Sequence, residues 1–105
     1  MRDNKLVRDK INEIIEKEGK IAEIHIAAEP EYSQRLKEKL VEEVEEFLST
    51  PNVEELVDIL EVIYALAELE NLSPAQLERQ RQKKANERGT FSKRIVLDKV
   101  ISKNS

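Results

Sequence analysis

The sequence predicts a mainly α chain, a small helical bundle forming one domain over residues 1–105, and three observations predict it. Apolar residues recur at three- and four-residue steps through long windows, the period of a helix with one buried face. Gly19, Glu29-Pro30, Ser49-Thr50-Pro51-Asn52, Asn71-Leu72-Ser73-Pro74 and Gly89 punctuate those windows where helices stop and start. Charged residues make up 38% and aromatics 4% of the 105 residues, so the core is aliphatic and modest.

Taken in order, Leu6, Val7, Ile11, Ile14 and Ile15 predict a first helix over residues 7–18, stopped by Gly19 as its C′ residue. Lys5, Arg8 and Lys10 cluster at its start and read, on sequence alone, as a solvated basic turn. Residues 21–27, IAEIHIA, alternate weakly and are rich in isoleucine, which predicts a short strand. His25 lies in that strand and is incidental to any chemistry. A long helix then begins near Pro30 or Ser33, with Leu36, Leu40, Val44, Phe47 and Leu48 as its apolar stripe. After the Ser-Thr-Pro-Asn turn, the helix over 52–70 is apolar round most of its circumference and reads as buried. Its solvent stripe is Glu54, Glu61 and Glu68. Ser73 and Pro74 open a last helix over 74–86, nearly all polar, and Gly89 stops it. Phe91, Ile95, Val96 and Leu97 form an extended tail that could pair with Ile24 and Ile26 as a minor strand pair.

The chemistry concentrates in residues 36–70. Glu43 with Glu46, and Glu55 with Asp58, are spaced i, i+3, so each pair shares one face of its helix. A short turn makes the two helices antiparallel neighbours, and the two pairs can then face each other. Glu43 and Asp58 fall at the margins of apolar stripes, Glu55 has Ile59, Val62 and Leu66 on its own face, and Glu38, Glu42 and Glu45 point away as solvated surface. Each acid has a structural reading: Glu43 can pair with a Lys or Arg, and Glu55 can close a capping box with Asn52. Four converging carboxylates, however, repel one another unless a cation sits among them. Metal ligation by Glu43, Glu46, Glu55 and Asp58 is the stronger reading. Oxygen ligands with no cysteine and one histidine select a hard cation, Mg²⁺ or Mn²⁺. On the polar helix, Leu77, Arg81, Lys84 and Arg88 share a face, which is either solvated surface or a basic wall for phosphates.

Composition narrows the partners. The absence of cysteine fits a reducing compartment, and a cytoplasmic location is expected. No apolar run approaches membrane-spanning length and no secretory h-region follows the N-terminus. A net charge of -4 argues against binding a nucleic-acid polymer. A helix as apolar as residues 52–70 is hard to cover within so short a chain, which predicts a homo-oligomer, a dimer or tetramer.

The run Glu42-Glu43-x-x-Glu46 followed by Glu55-x-x-Asp58 resembles the E-E-x-x-E … E-x-x-D signature of the all-α, MazG-like nucleotide pyrophosphohydrolases. This superfamily includes all-α dUTPases and dCTPases and the phosphoribosyl-ATP pyrophosphohydrolases of histidine biosynthesis. Lys5-Leu6-Val7-Arg8-Asp9-Lys10-Ile11 and Glu87-Arg88-Gly89-x-Phe91 look like a small single-domain branch. With them the resemblance covers nearly the whole chain. It implies a MazG-like helical domain that cleaves a nucleoside triphosphate between its α- and β-phosphates with Mg²⁺, giving a monophosphate and pyrophosphate, with housecleaning of non-canonical nucleotides as one role. It also implies that Glu43, Glu46, Glu55 and Asp58 hold the metal and that Glu43 or Glu46 orients or deprotonates the attacking water. Arg8, Lys10, Lys84 and Arg88 would contact the phosphates, and Asn86 the sugar or a phosphate. The alternatives are phosphoribosyl-ATP as substrate, and a non-catalytic helical interaction module in which the acids form salt bridges between subunits.

Overall fold

A computed structural model describes residues 4–103. It contains four helices, α1 (Ile11–Lys17), α2 (Glu29–Ser49), α3 (Val53–Leu69) and α4 (Pro74–Arg88). No strand occurs among the described residues. The expected mainly α fold is what forms. The chain divides into two compact units, Met1–Ser73 and Pro74–Ser105.

The first unit is built on α2 and α3, which are joined by Thr50, Pro51 and Asn52 and pack against each other. Asn52 caps α3: its side-chain oxygen accepts the Glu55 backbone N–H at 2.9 Å, and its backbone is extended. That satisfies one of the amide groups every helix start leaves unpaired. Asn52→Ala should lower the stability of the fold by about 1 kcal/mol, read as a lower urea midpoint with unchanged m-value. At the other end of α3, Asn71 takes φ +62°, the Asn71 N–H bonds to Glu68 O, and the Leu72 N–H to Ala67 O, both at 2.9 Å. This is the left-handed stop that glycine usually supplies. Gly19 does the same for α1, at φ +83°, with the Lys20 N–H returning to Ile15 O.

The core of this unit is thin. Leu36 on α2 is 2% exposed, and with Val62 and Ala67 on α3 it forms the fully buried apolar set among the described residues. Leu40, Phe47, Ile59, Leu66 and Leu69 are half-buried.

Two expectations need correction. The first helix begins at Ile11 rather than Val7, because residues 4–8 run across α2 and α3 and spend their side chains there. The minor strand pair does not form. Ile21, Ile24 and Ile26 are exposed, as are Ile95, Val96 and Leu97, and a two-stranded ribbon with no covered face is marginal in water. As expected of so short a chain, α3 is not covered on all sides. Val53, Leu56, Val57, Leu60 and Ile63 form an exposed stripe along it, and Val41, Val44 and Leu48 form another on α2. Their helical spacing is regular, but α2 alone cannot cover both flanks of α3.

The second unit consists of α4 and the residues after it. Pro74 opens α4, and Gly89, at φ +85°, follows its last residue and donates its N–H to Ala85 O. Leu77 and Ala85 are half-buried; Phe91, Val100 and Ile101 are exposed. Arg81 pairs with Glu78 one turn earlier, at 2.6 and 2.7 Å, as a surface helix does.

Candidate metal centre

The two acidic pairs meet on the facing sides of α2 and α3. Carboxylate oxygens of Glu43, Glu55 and Asp58 lie within 4.8 Å of one another, and so do those of Glu42, Glu43 and Glu46. Glu43 belongs to both groups and is 6% exposed, the one buried charged residue among those described. Glu55 and Asp58 are half-buried and Glu46 is exposed. The position of Glu43 follows from α2's register. It falls seven residues after Leu36, two turns along the same face, so the stripe that buries Leu36 carries Glu43 into the same interface.

Two oxygens of the cluster, Glu43 Oε2 and Glu55 Oε2, are shielded from solvent and receive no hydrogen bond. A shielded carboxylate oxygen without a donor is costly. The carboxyl of Glu55 is pushed up from 4.5 to about 7, first by the Glu43 carboxyl set against it, then by burial and by the charges of Glu46 and Glu43. A divalent cation would offset that cost. The donor set fits one: carboxylate oxygens, close enough to share a ligand shell, with unsatisfied lone pairs. Among the described residues, then, the acids form groups able to hold a metal ion.

Cations of the protein flank the cluster. Lys39, one turn before Glu43 on α2, lies 3.3 Å from Glu43 Oε1 and 3.6 Å from Glu42 Oε2. Lys5 donates to Glu42 Oε1 at 3.1 Å. Arg8 donates to Asp58 Oδ1 at 2.6 Å. The salt-bridged reading of Glu43 is therefore realised at one oxygen, through Lys39, while the other oxygen has no donor. The capping reading of Glu55 is realised by its backbone; its carboxyl faces Glu43.

Glu42 departs from expectation. Read as solvated, it has a side chain only 17% exposed, because the N-terminal segment lies over it. Burial raises its pKa, but the hydrogen bond from Lys5 and the charges of Lys39 and Lys5 outweigh that and hold the carboxyl below its ordinary value. Lys39 and the Lys5 contact went unread in the sequence. The i, i+3 and i, i+4 spacing of Lys39 to Glu42 and Glu43 was the available signal for the first. The second joins residues 37 apart in the chain, and no local pattern reports it.

The other expected site residues are placed as follows. Arg8 stands at the cluster; Lys10 is exposed at the N-cap position of α1. Lys84, Asn86 and Arg88 are exposed on α4, in the second unit. His25 bonds to Glu31 at 2.9 Å. The bonds that Glu31 receives from His25 and Arg35 lower its pKa. No described helix is long and apolar enough to cross a membrane. No family model, curated protein or solved structure matches the chain, so its function has to be argued from the chemistry of this centre.

Proposed function

We propose that the chain is a Mg²⁺-dependent nucleotide pyrophosphohydrolase, hydrolysing a nucleoside triphosphate between the α- and β-phosphates to give a monophosphate and pyrophosphate. The observation that carries this reading is the pair of shielded, donorless oxygens, Glu43 Oε2 and Glu55 Oε2, where Glu43 joins the group of Glu55 and Asp58 to that of Glu42 and Glu46. The resemblance of Glu42-Glu43-x-x-Glu46 … Glu55-x-x-Asp58 to the MazG-like signature supplies the reaction class.

In this reading Glu43, Glu46, Glu55 and Asp58 hold Mg²⁺, or Mn²⁺ in its place. The cation would neutralise polyphosphate charge and lower the pKa of a bound water. Glu46, the exposed member, would orient an incoming water or take its proton, with Glu43 as the alternative base. Arg8 and Lys10 on the N-terminal segment are the proposed phosphate contacts within the unit that carries the acids. Guanidinium and ammonium groups bind such oxygens through charge-assisted hydrogen bonds.

The test is product analysis over a panel of canonical and modified nucleoside triphosphates together with phosphoribosyl-ATP, each with Mg²⁺. Pyrophosphate release from a triphosphate supports the reading. Release confined to phosphoribosyl-ATP assigns the histidine-pathway substrate instead. Release from none leaves the interaction module.

The same reading takes the protein to be a homo-oligomer in the cytoplasm. Supporting self-association is the exposed stripe Val53, Leu56, Val57, Leu60 and Ile63 beside Val41, Val44 and Leu48, more apolar surface than a small monomer usually leaves in water. Leu60→Glu, which places a charge in mid-stripe, should convert the oligomer to monomer in sedimentation equilibrium. An unchanged mass would exclude this face as the interface.

A further inference from the structure

We propose that Arg8 is an exchangeable counter-ion of the acidic centre, held on Asp58 while the acids carry no cation and released to a phosphate when they do. This rests on the metal reading above and adds to it a coupling between cation and anion binding.

The inference starts from how residues 4–8 are held. They form no helix, yet they are fixed at two points on α2. Arg35 donates to the backbone oxygen and the side-chain oxygen of Asn4, at 2.9 Å each. Lys5 donates to Glu42 at 3.1 Å. Beyond these anchors the segment crosses to α3, where Arg8 meets Asp58 Oδ1 at 2.6 Å. The Lys5 anchor and the far end differ in exposure, while the Asn4 bonds are exposed as well. The Lys5 and Glu42 side chains are 22% and 17% exposed, those of Arg8 and Asp58 52% and 37%. An ion pair that open to water is weakly held. The segment is thus a strap, held most firmly at the half-buried Lys5 and more weakly at the exposed Arg8.

A carboxylate can accept a hydrogen bond on one lone pair and ligate a metal on another, so the exchange is one of charge: a divalent cation beside Asp58 cancels the charge that holds Arg8 there and repels the guanidinium. A cation entering among Glu43, Glu55 and Asp58 therefore competes with Arg8 for Asp58. Once free, Arg8 remains tethered three residues from Lys5, beside a centre that now attracts anions. Its planar fork matches two phosphate oxygens. Glu42, in this account, is a positioning residue: through Lys5 it sets where the loose end of the strap can reach.

Two consequences have opposite sign, which separates exchange from a general loss of structure. Removing the guanidinium removes a competitor of the metal and a contact of the anion. With Mn²⁺ as the probe, counted by loss of the free-ion paramagnetic resonance signal, Arg8→Gln should bind the ion about threefold more tightly than wild type. With inorganic pyrophosphate titrated calorimetrically into the Mn²⁺-loaded proteins, the variant should bind about tenfold more weakly. Arg8→Lys, which keeps the charge, should lie between the two in both titrations. Equal Mn²⁺ affinity in wild type and Arg8→Gln, or a variant that weakens both probes, overturns the exchange and leaves the metal centre standing. Failure of wild type to bind Mn²⁺ overturns both.

Discussion

Glu43→Gln should reduce pyrophosphate release by at least about 100-fold, the scale on which losing one preorganised electrostatic group slows an enzyme. The substitution is nearly isosteric, so it opens no cavity beside Leu36. It removes charge from the one acid that belongs to both carboxylate groups and lies deepest in the α2–α3 interface. It should also raise the stability of the metal-free protein. The Oε2 atom of Glu43 is shielded and donorless next to a second such oxygen, and an amide at this position can donate to Glu55. The carboxyl of Glu55, freed of its largest perturbation, should then titrate closer to 4.5 than to about 7. Carbon-detected NMR of the side-chain carboxyls reads that titration directly. Loss of activity together with a gain in metal-free melting temperature is the expected pair. A variant that is both inactive and less stable would mean that Glu43 serves the fold through Lys39 rather than the centre.

Mg²⁺ should stabilise the protein strongly, and more so as the pH rises. A ligand at 100 times its Kd adds about 2.7 kcal/mol, which for a domain of this size is a rise in melting temperature of about 10 °C or more. The pH dependence follows from Glu55, whose folded value of about 7 stands above its ordinary 4.5. A carboxyl raised in this way binds its proton more tightly in the folded state than in the unfolded one. Between 4.5 and about 7 the folded state holds more protons, so metal-free stability falls as pH rises through that window. Glu31, Glu42 and Glu78 are shifted in the opposite direction, and their effects fall at lower pH. Because Mg²⁺ binds the ionised form of the Glu55 carboxyl, the stabilisation it gives should be small near pH 5.5 and large near pH 8. Melting curves at both pH values, with NaCl at matched ionic strength as the control, check this. Salt bridges between subunits would instead weaken equally with either salt.

Much of this arrangement is legible in the sequence, for reasons tied to particular residues. Helix periodicity and the stops at Gly19, Asn71 and Gly89 report local backbone preference, and local preference decided them. The facing of Glu43 toward Glu55 is legible too, because a three-residue turn after an amphipathic helix leaves few ways to pack the next one. What escaped was non-local. Nothing near Glu42 shows that Lys5 covers it, and nothing near Arg8 shows that it reaches Asp58. The strand pair was over-read from Ile21, Ile24 and Ile26: alternation marks a segment able to pair but does not supply the partner. The burial expected around α3 was a statement about apolarity, and its exposed stripe shows that the single chain does not meet it alone.

The most direct test of the central claim is anomalous diffraction from crystals of the wild-type protein grown with Mn²⁺. The account predicts an anomalous peak among Glu43, Glu46, Glu55 and Asp58, in contact with Glu43 Oε2 and Glu55 Oε2. A cluster without a peak at saturating Mn²⁺, its carboxylates still paired with Lys39 and Arg8, would contradict it.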